Sequence, residues 1–304
     1  MARVISTALK GKLEVKRLFL ETCQIGEEAA PALADMLSHN TTLEMLDLHQ
    51  NNLNEKGAQI LAKGLVQNTT LKKLIISKNN LGDAGVKAIT TALAQDTSFT
   101  DMATCNNDDG DKEGQHYTLT IYGNECGEDG ASAVADMLRT NNTLTELNIL
   151  QNPLSSRGVT CVAKALKLNK TLRNIFLGMT ECGNEGVAAI ADMLHSNQTL
   201  TKLYLNNTFG DNEHMQNKIG KDGAVALAAA LIVNKSLKEL HLSNNGITND
   251  GLDCLIKALH VNTTLDKLCI KYPGDGLGRH KNEEPLKKKR RAEERITWDC
   301  YCAW

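Results

Sequence analysis

The sequence predicts an α/β repeat array, with one short strand and one helix in every unit. Three observations predict it. A 28-residue unit, LxxLxLxxNxLxxxGxxxLAxxLxxNxT, recurs in phase along most of the chain. Within each unit the apolar spacing switches from two, the period of a strand, to about 3.6, the period of a helix. Asn and Gly recur where a chain must turn or pack closely.

With Leu43 as position 1, complete units run Val15–Thr42, Leu43–Thr70, Leu71–Ser98, Phe99–Thr143, Leu144–Thr171, Leu172–Thr199, Leu200–Ser236 and Leu237–Thr264. A ninth starts at Leu265 and decays. The fourth unit is long by 17 residues and the seventh by 9. Each position has a physical reason. Positions 4 and 6, such as Leu46 and Leu48, alternate with polar residues as a strand with one buried face does. Asn at position 9 (Asn51, Asn79, Asn124, Asn152, Asn245) can satisfy backbone groups where the strand turns away. Gly at position 15, from Gly57 to Gly251, sits at the helix start, where a side chain has little room. Positions 19, 20 and 23 (Leu61, Ala62, Leu65) have helical spacing and face inward.

This pattern resembles leucine-rich repeats of the ribonuclease-inhibitor type over about Val15 to Ile270. Ribonuclease inhibitors, the sensor ends of NOD-like receptors and Ran GTPase-activating proteins carry such repeats. The resemblance implies a curved solenoid, a ribonuclease-inhibitor-like horseshoe with a parallel concave sheet and convex helices. The expected organisation is a cap helix from a partial repeat at 1–14, a solenoid of eight full units and a partial ninth at 15–270, and a basic cap or tail at 271–304. Pro285–Trp298 is expected to form a charged helix with Pro near its first turn.

Composition narrows the function. The net charge is −2, so bulk charge points to neither nucleic acid nor a membrane. The longest apolar run, Ala224–Val233, is too short to span a bilayer and reads as a buried helix. The first residues lack the apolar stretch of a signal peptide. Nine cysteines form no CxxC pair and read as reduced residues of an intracellular, cytoplasmic protein. KKKRR at Lys287, Lys288, Lys289, Arg290 and Arg291 is similar to a nuclear-import signal; a solvated cap helix is the competing reading.

No catalytic set emerges: GxxxxGK[ST], HExxH and GxSxG are all missing, and no cofactor or metal is expected. Asp109, Asp111 and Glu113 suggest a calcium loop only superficially, because its bidentate Glu would fall at Thr120, in the next strand. NxS/T triplets at Asn40, Asn68, Asn141, Asn169, Asn197, Asn234 and Asn262 match a glycosylation acceptor. They also occupy positions 26 to 28, where a structural role in ending the helix is expected instead.

The concave face remains. Positions 5 and 7 point away from the buried strand face, so the fold does not dictate them. In a chain with only 4% aromatics, Phe176, Tyr204 and His241 fall on consecutive strands at position 5. Tyr122 and Leu150 stand nearby, and His49 and Phe19 lie on the earlier strands. An aromatic strip on such a surface points to a protein partner. The expected function is a non-enzymatic protein-binding scaffold or sensor, related to NOD-like receptors. The alternative is a Ran-type GTPase-activating protein, which needs an early-loop arginine. The early loops have none, and Arg157 stands in a comparable loop of the fifth unit.

Overall fold

The computed structural model describes residues 14–95, 117–208, 213–270 and 296–298. Strand and helix alternate along the chain. The strands are β1 (Arg17–Phe19), β2 (Met45–Asp47), β3 (Lys73–Ile75), β4 (Thr118–Thr120), β5 (Glu146–Asn148), β6 (Asn174–Phe176), β7 (Lys202–Tyr204), β8 (Glu239–His241), β9 (Lys267–Ile270) and β10 (Ile296–Trp298). The helices are α1 (Ala30–His39), α2 (Asn54–Leu65), α3 (Gly82–Gln95), α4 (Glu128–Thr140), α5 (Ser155–Leu166), α6 (Gly183–Ser196), α7 (Lys221–Val233) and α8 (Asn249–Val261).

All ten strands form one parallel sheet in sequence order. The register joins equivalent positions, so Leu46, Leu74, Leu119 and Leu147 line one core row. These leucines and the inward helix residues, Leu61 and Leu65 among them, are buried in one continuous core. Each such side chain contributes about 1.5–3 kcal/mol on leaving water. Strands stack about 4.8 Å apart while helices need about 8–10 Å. An array with strands on one side and helices on the other must therefore curve, with the sheet inside. This is the expected α/β solenoid.

Two asparagine ladders tie the units together. In the first, Asn79 Oδ1 accepts the N–H groups of Asn51 and Leu53, both at 3.1 Å, while Asn79 Nδ2 donates to the Leu48 and Ser77 carbonyls. Asn51, Asn124 and Asn152 do the same for their neighbours. In the seventh unit the insertion moves this role to Asn217, whose Oδ1 accepts from the Thr180 N–H at 2.9 Å. The second ladder is the NxS/T set. Asn197 Nδ2 donates to the Leu166 carbonyl at 2.6 Å and its Oδ1 accepts from the N–H groups of Thr199 and Leu200. Asn169, Asn234 and Asn262 repeat the arrangement, and all four are buried. Those amides are spent on closing the helix ends.

Helix starts are capped across units. Asp83 Oδ1 accepts the N–H groups of Gly127 and Gly130, at the start of α4, at 2.6 and 2.9 Å. Close packing explains the position-15 glycines, since a Cβ on Gly158 would lie 2.8 Å from that of Ala131.

One expectation is corrected. Ile296–Trp298, assigned from sequence to the end of a charged helix, instead forms β10, paired in parallel with β9. The rest of the 271–304 tail, the Lys287–Arg291 run included, lies outside the described residues. So do 1–13 of the N-terminal cap and the Asp109–Glu113 stretch.

Candidate functional site

The parallel register carries side chains of one repeat position into a row across the sheet. On the concave side the position-5 row reads Asn148, Phe176, Tyr204, His241 and Cys269 from β5 to β9. Three of these rings stack. Phe176 and Tyr204 have centroids 4.2 Å apart at 11°, and Tyr204 and His241 are 4.2 Å apart at 26°. The strand spacing of about 4.8 Å brings equivalent rings on adjacent strands within stacking distance.

Exposure along the stack is graded. Phe176 and Tyr204 are half-buried, whereas His241 is 2% exposed. The His241 Nε2 lies 3.4 Å from Glu239 Oε2 and 3.9 Å from Cys269 Sγ. Burial pushes the His241 imidazole below its ordinary pKa, with the Lys267 and Lys202 charges adding to the effect against the pull of Glu239. Burial also raises Glu239, but the ammonium of Lys202, 2.9 Å away, and His241 outweigh it and hold the carboxyl below its ordinary range. Glu239 and Cys269 both meet the same ring nitrogen, so the trio cannot relay a proton from thiol through imidazole to carboxylate.

Position 3 was not singled out in the sequence, yet it borders the stack. Glu146, Asn174, Lys202 and Glu239 follow one another in register. Asn174 Nδ2 donates to Glu146 Oε2 at 3.1 Å. The signal was available, since positions 3, 5 and 7 share a face.

At position 7 the strip is interrupted. Leu150 is 7% exposed, so it does not meet solvent as an edge residue. A Cβ on Gly178 would come within 2.2 Å of the Asn206 carbonyl oxygen, so only glycine fits there. Asn206 Oδ1 is buried without a hydrogen-bond partner.

The other predicted residues form a second group. His49 and Tyr122 are half-buried and approach to 5.6 Å, across the small, fully buried Ser77. Lys78 Nζ lies 5.6 Å from the centroid of the Tyr122 ring. Burial raises the Tyr122 hydroxyl pKa, with the nearby Asp47 charge adding to it. Phe19, on β1, is 57% exposed. The structure thus brings together Phe176, Tyr204 and His241, and separately His49 and Tyr122, with Phe19 farther along the sheet.

Other chemistry finds little support. Among the described residues, no three His, Cys, Asp or Glu side chains could hold a metal ion. Burial pushes the Cys126 and Cys182 thiols up to about 12, which makes them poor nucleophiles. Arg157 lies in the first turn of α5, with Nη1 3.9 Å from Glu128 Oε2. No described helix is long and apolar enough to cross a membrane.

A family model described as a leucine-rich repeat matches residues 39–62, 67–89, 140–163 and 233–255. No curated protein matches the chain. Among solved structures, leiomodin-1 actin-binding site 2 matches with 24% identity and a TM-score of 0.40, covering 48% of this chain and 80% of that one.

Proposed function

We propose that this leucine-rich repeat solenoid is a non-enzymatic scaffold or sensor that holds a protein partner on its concave face, in the manner of a NOD-like receptor repeat array. The observation that carries the reading is the stack of Phe176, Tyr204 and His241. Leucines at positions 4 and 6 supply the core, and asparagines and glycines supply the turns, so the fold does not require rings at position 5. A preorganised stack, with the Phe176 and Tyr204 rings half-exposed and His241 buried beside them, loses little entropy on binding and offers the kind of anchor that dominates protein interfaces.

The test is the double substitution Phe176→Ala and Tyr204→Ala. Two aromatic anchors at about 2 kcal/mol each predict a loss of roughly a hundredfold or more in partner affinity. Circular dichroism should stay that of the wild type. Undiminished binding by a folded double variant would defeat the proposal. The competing Ran-type GTPase-activating reading predicts faster single-turnover GTP hydrolysis by Ran, dependent on Arg157. The ion pair of that side chain with Glu128 gives it no special support.

A further inference from the structure

The concave row holds one charge that the fold does not explain. Asp47, at position 5 of β2, is 8% exposed. Its Oδ1 accepts the His49 N–H at 2.9 Å. No cation pairs with it among the described residues, and its second oxygen makes no hydrogen bond yet is not sealed from solvent. Turn formation accounts for the first bond but not for the charge. Asn148, at position 5 of β5, makes the same bond to the Leu150 N–H at 3.2 Å with a neutral amide. Enclosing a carboxylate is unfavourable unless a counter-charge compensates it.

The surroundings say what that counter-charge would be. In register with Asp47 stand Phe19 on one side and Ile75 on the other. Two residues further on, the same face carries His49 and Tyr122. A carboxylate with a phenyl ring on one neighbouring strand and an aliphatic side chain on the other suits a planar, weakly hydrated cation better than a compact ammonium.

We infer that the concave face carries a second contact, in which an arginine side chain of the partner pairs with Asp47 and lies against the exposed ring of Phe19 on the adjacent strand. This rests on the concave-face reading and extends it. Asp47 is four strands from Phe176, about 19 Å at the spacing of a parallel sheet, so the partner must be elongated enough to bridge both contacts.

The test uses a short labelled probe, acetyl-Gly-Arg-Gly-Arg-Gly-amide, followed by fluorescence anisotropy at low and at physiological ionic strength. Wild type should bind it more tightly than the lysine analogue and should not bind the glutamate analogue. Asp47→Asn, which keeps the turn as Asn148 does, should bind about tenfold or more weakly, with a flatter salt dependence. Equal binding by wild type and Asp47→Asn would overturn the inference, as would the absence of any binding by wild type. So would a loss produced by the Phe176→Ala and Tyr204→Ala pair instead. The Phe176→Ala and Tyr204→Ala pair leaves Asp47 untouched and should bind the probe as wild type does, so failure here leaves the test of that stack independent.

Discussion

Replacing Asn79 with alanine should destabilise the solenoid more than a surface change by a wide margin, and the structure sets the size. The amide makes four hydrogen bonds within the fully buried turn. The two acceptors survive its removal, because Leu48 O also receives Asn51 Nδ2 at 3.0 Å and Ser77 O receives the Gln50 N–H. The two donors do not: the N–H groups of Asn51 and Leu53 lose their recorded acceptor. Each orphaned buried donor costs about 1–3 kcal/mol, so Asn79→Ala should cost roughly 2–6 kcal/mol. Lys87→Ala, on the exposed side of α3, should stay within about 0.5 kcal/mol. Urea unfolding followed by circular dichroism measures both. A loss below about 1 kcal/mol for Asn79→Ala would refute the claim that this ladder links the repeats energetically.

Two further outcomes follow from the packing and the charges. Gly64→Ala puts a Cβ 2.3 Å from the Ala34 carbonyl oxygen and should cost about 1–3 kcal/mol, whereas Gly26→Ala meets nothing within 4 Å and should be tolerated; thermal melts compare the two. His241 is held below its ordinary pKa, so its contribution to stability is present above about pH 6.5 and is lost as pH falls through the lower folded value. Wild type should therefore lose more stability between neutral and acidic pH than His241→Phe, and parallel slopes in the two melting series would count against this.

The strand, turn and helix of each repeat were legible because every position answers one physical demand. Leu46 and Leu48 alternate, Asn51 turns the chain, and Gly57 leaves room for the preceding unit. Asn217 was obscured by the insertion before it, although it stands six residues before Gly223, as Asn51 does before Gly57. β10 was hidden because three residues after a run of charge carry too little alternation to mark a strand. At the candidate site, alternation told which face a side chain takes but not what covers it. Leu150 and His241 take the concave side, yet both are buried, and for His241 the cover includes Tyr204 and Cys269 on the strands beside it. The isolated charge of Asp47 could not be read from sequence, since it depends on which cations fold near it.

The central claim is that the concave strip, and not the helical surface, meets the partner. A photo-crosslinking amino acid, p-benzoylphenylalanine, can replace Phe176, whose first ring it keeps, and in a second protein can replace Ala188 on the exposed side of α6. Irradiation of each with the captured partner tests the claim most directly. The account predicts a covalent adduct from position 176 and none from position 188. An adduct from 188 alone would contradict it.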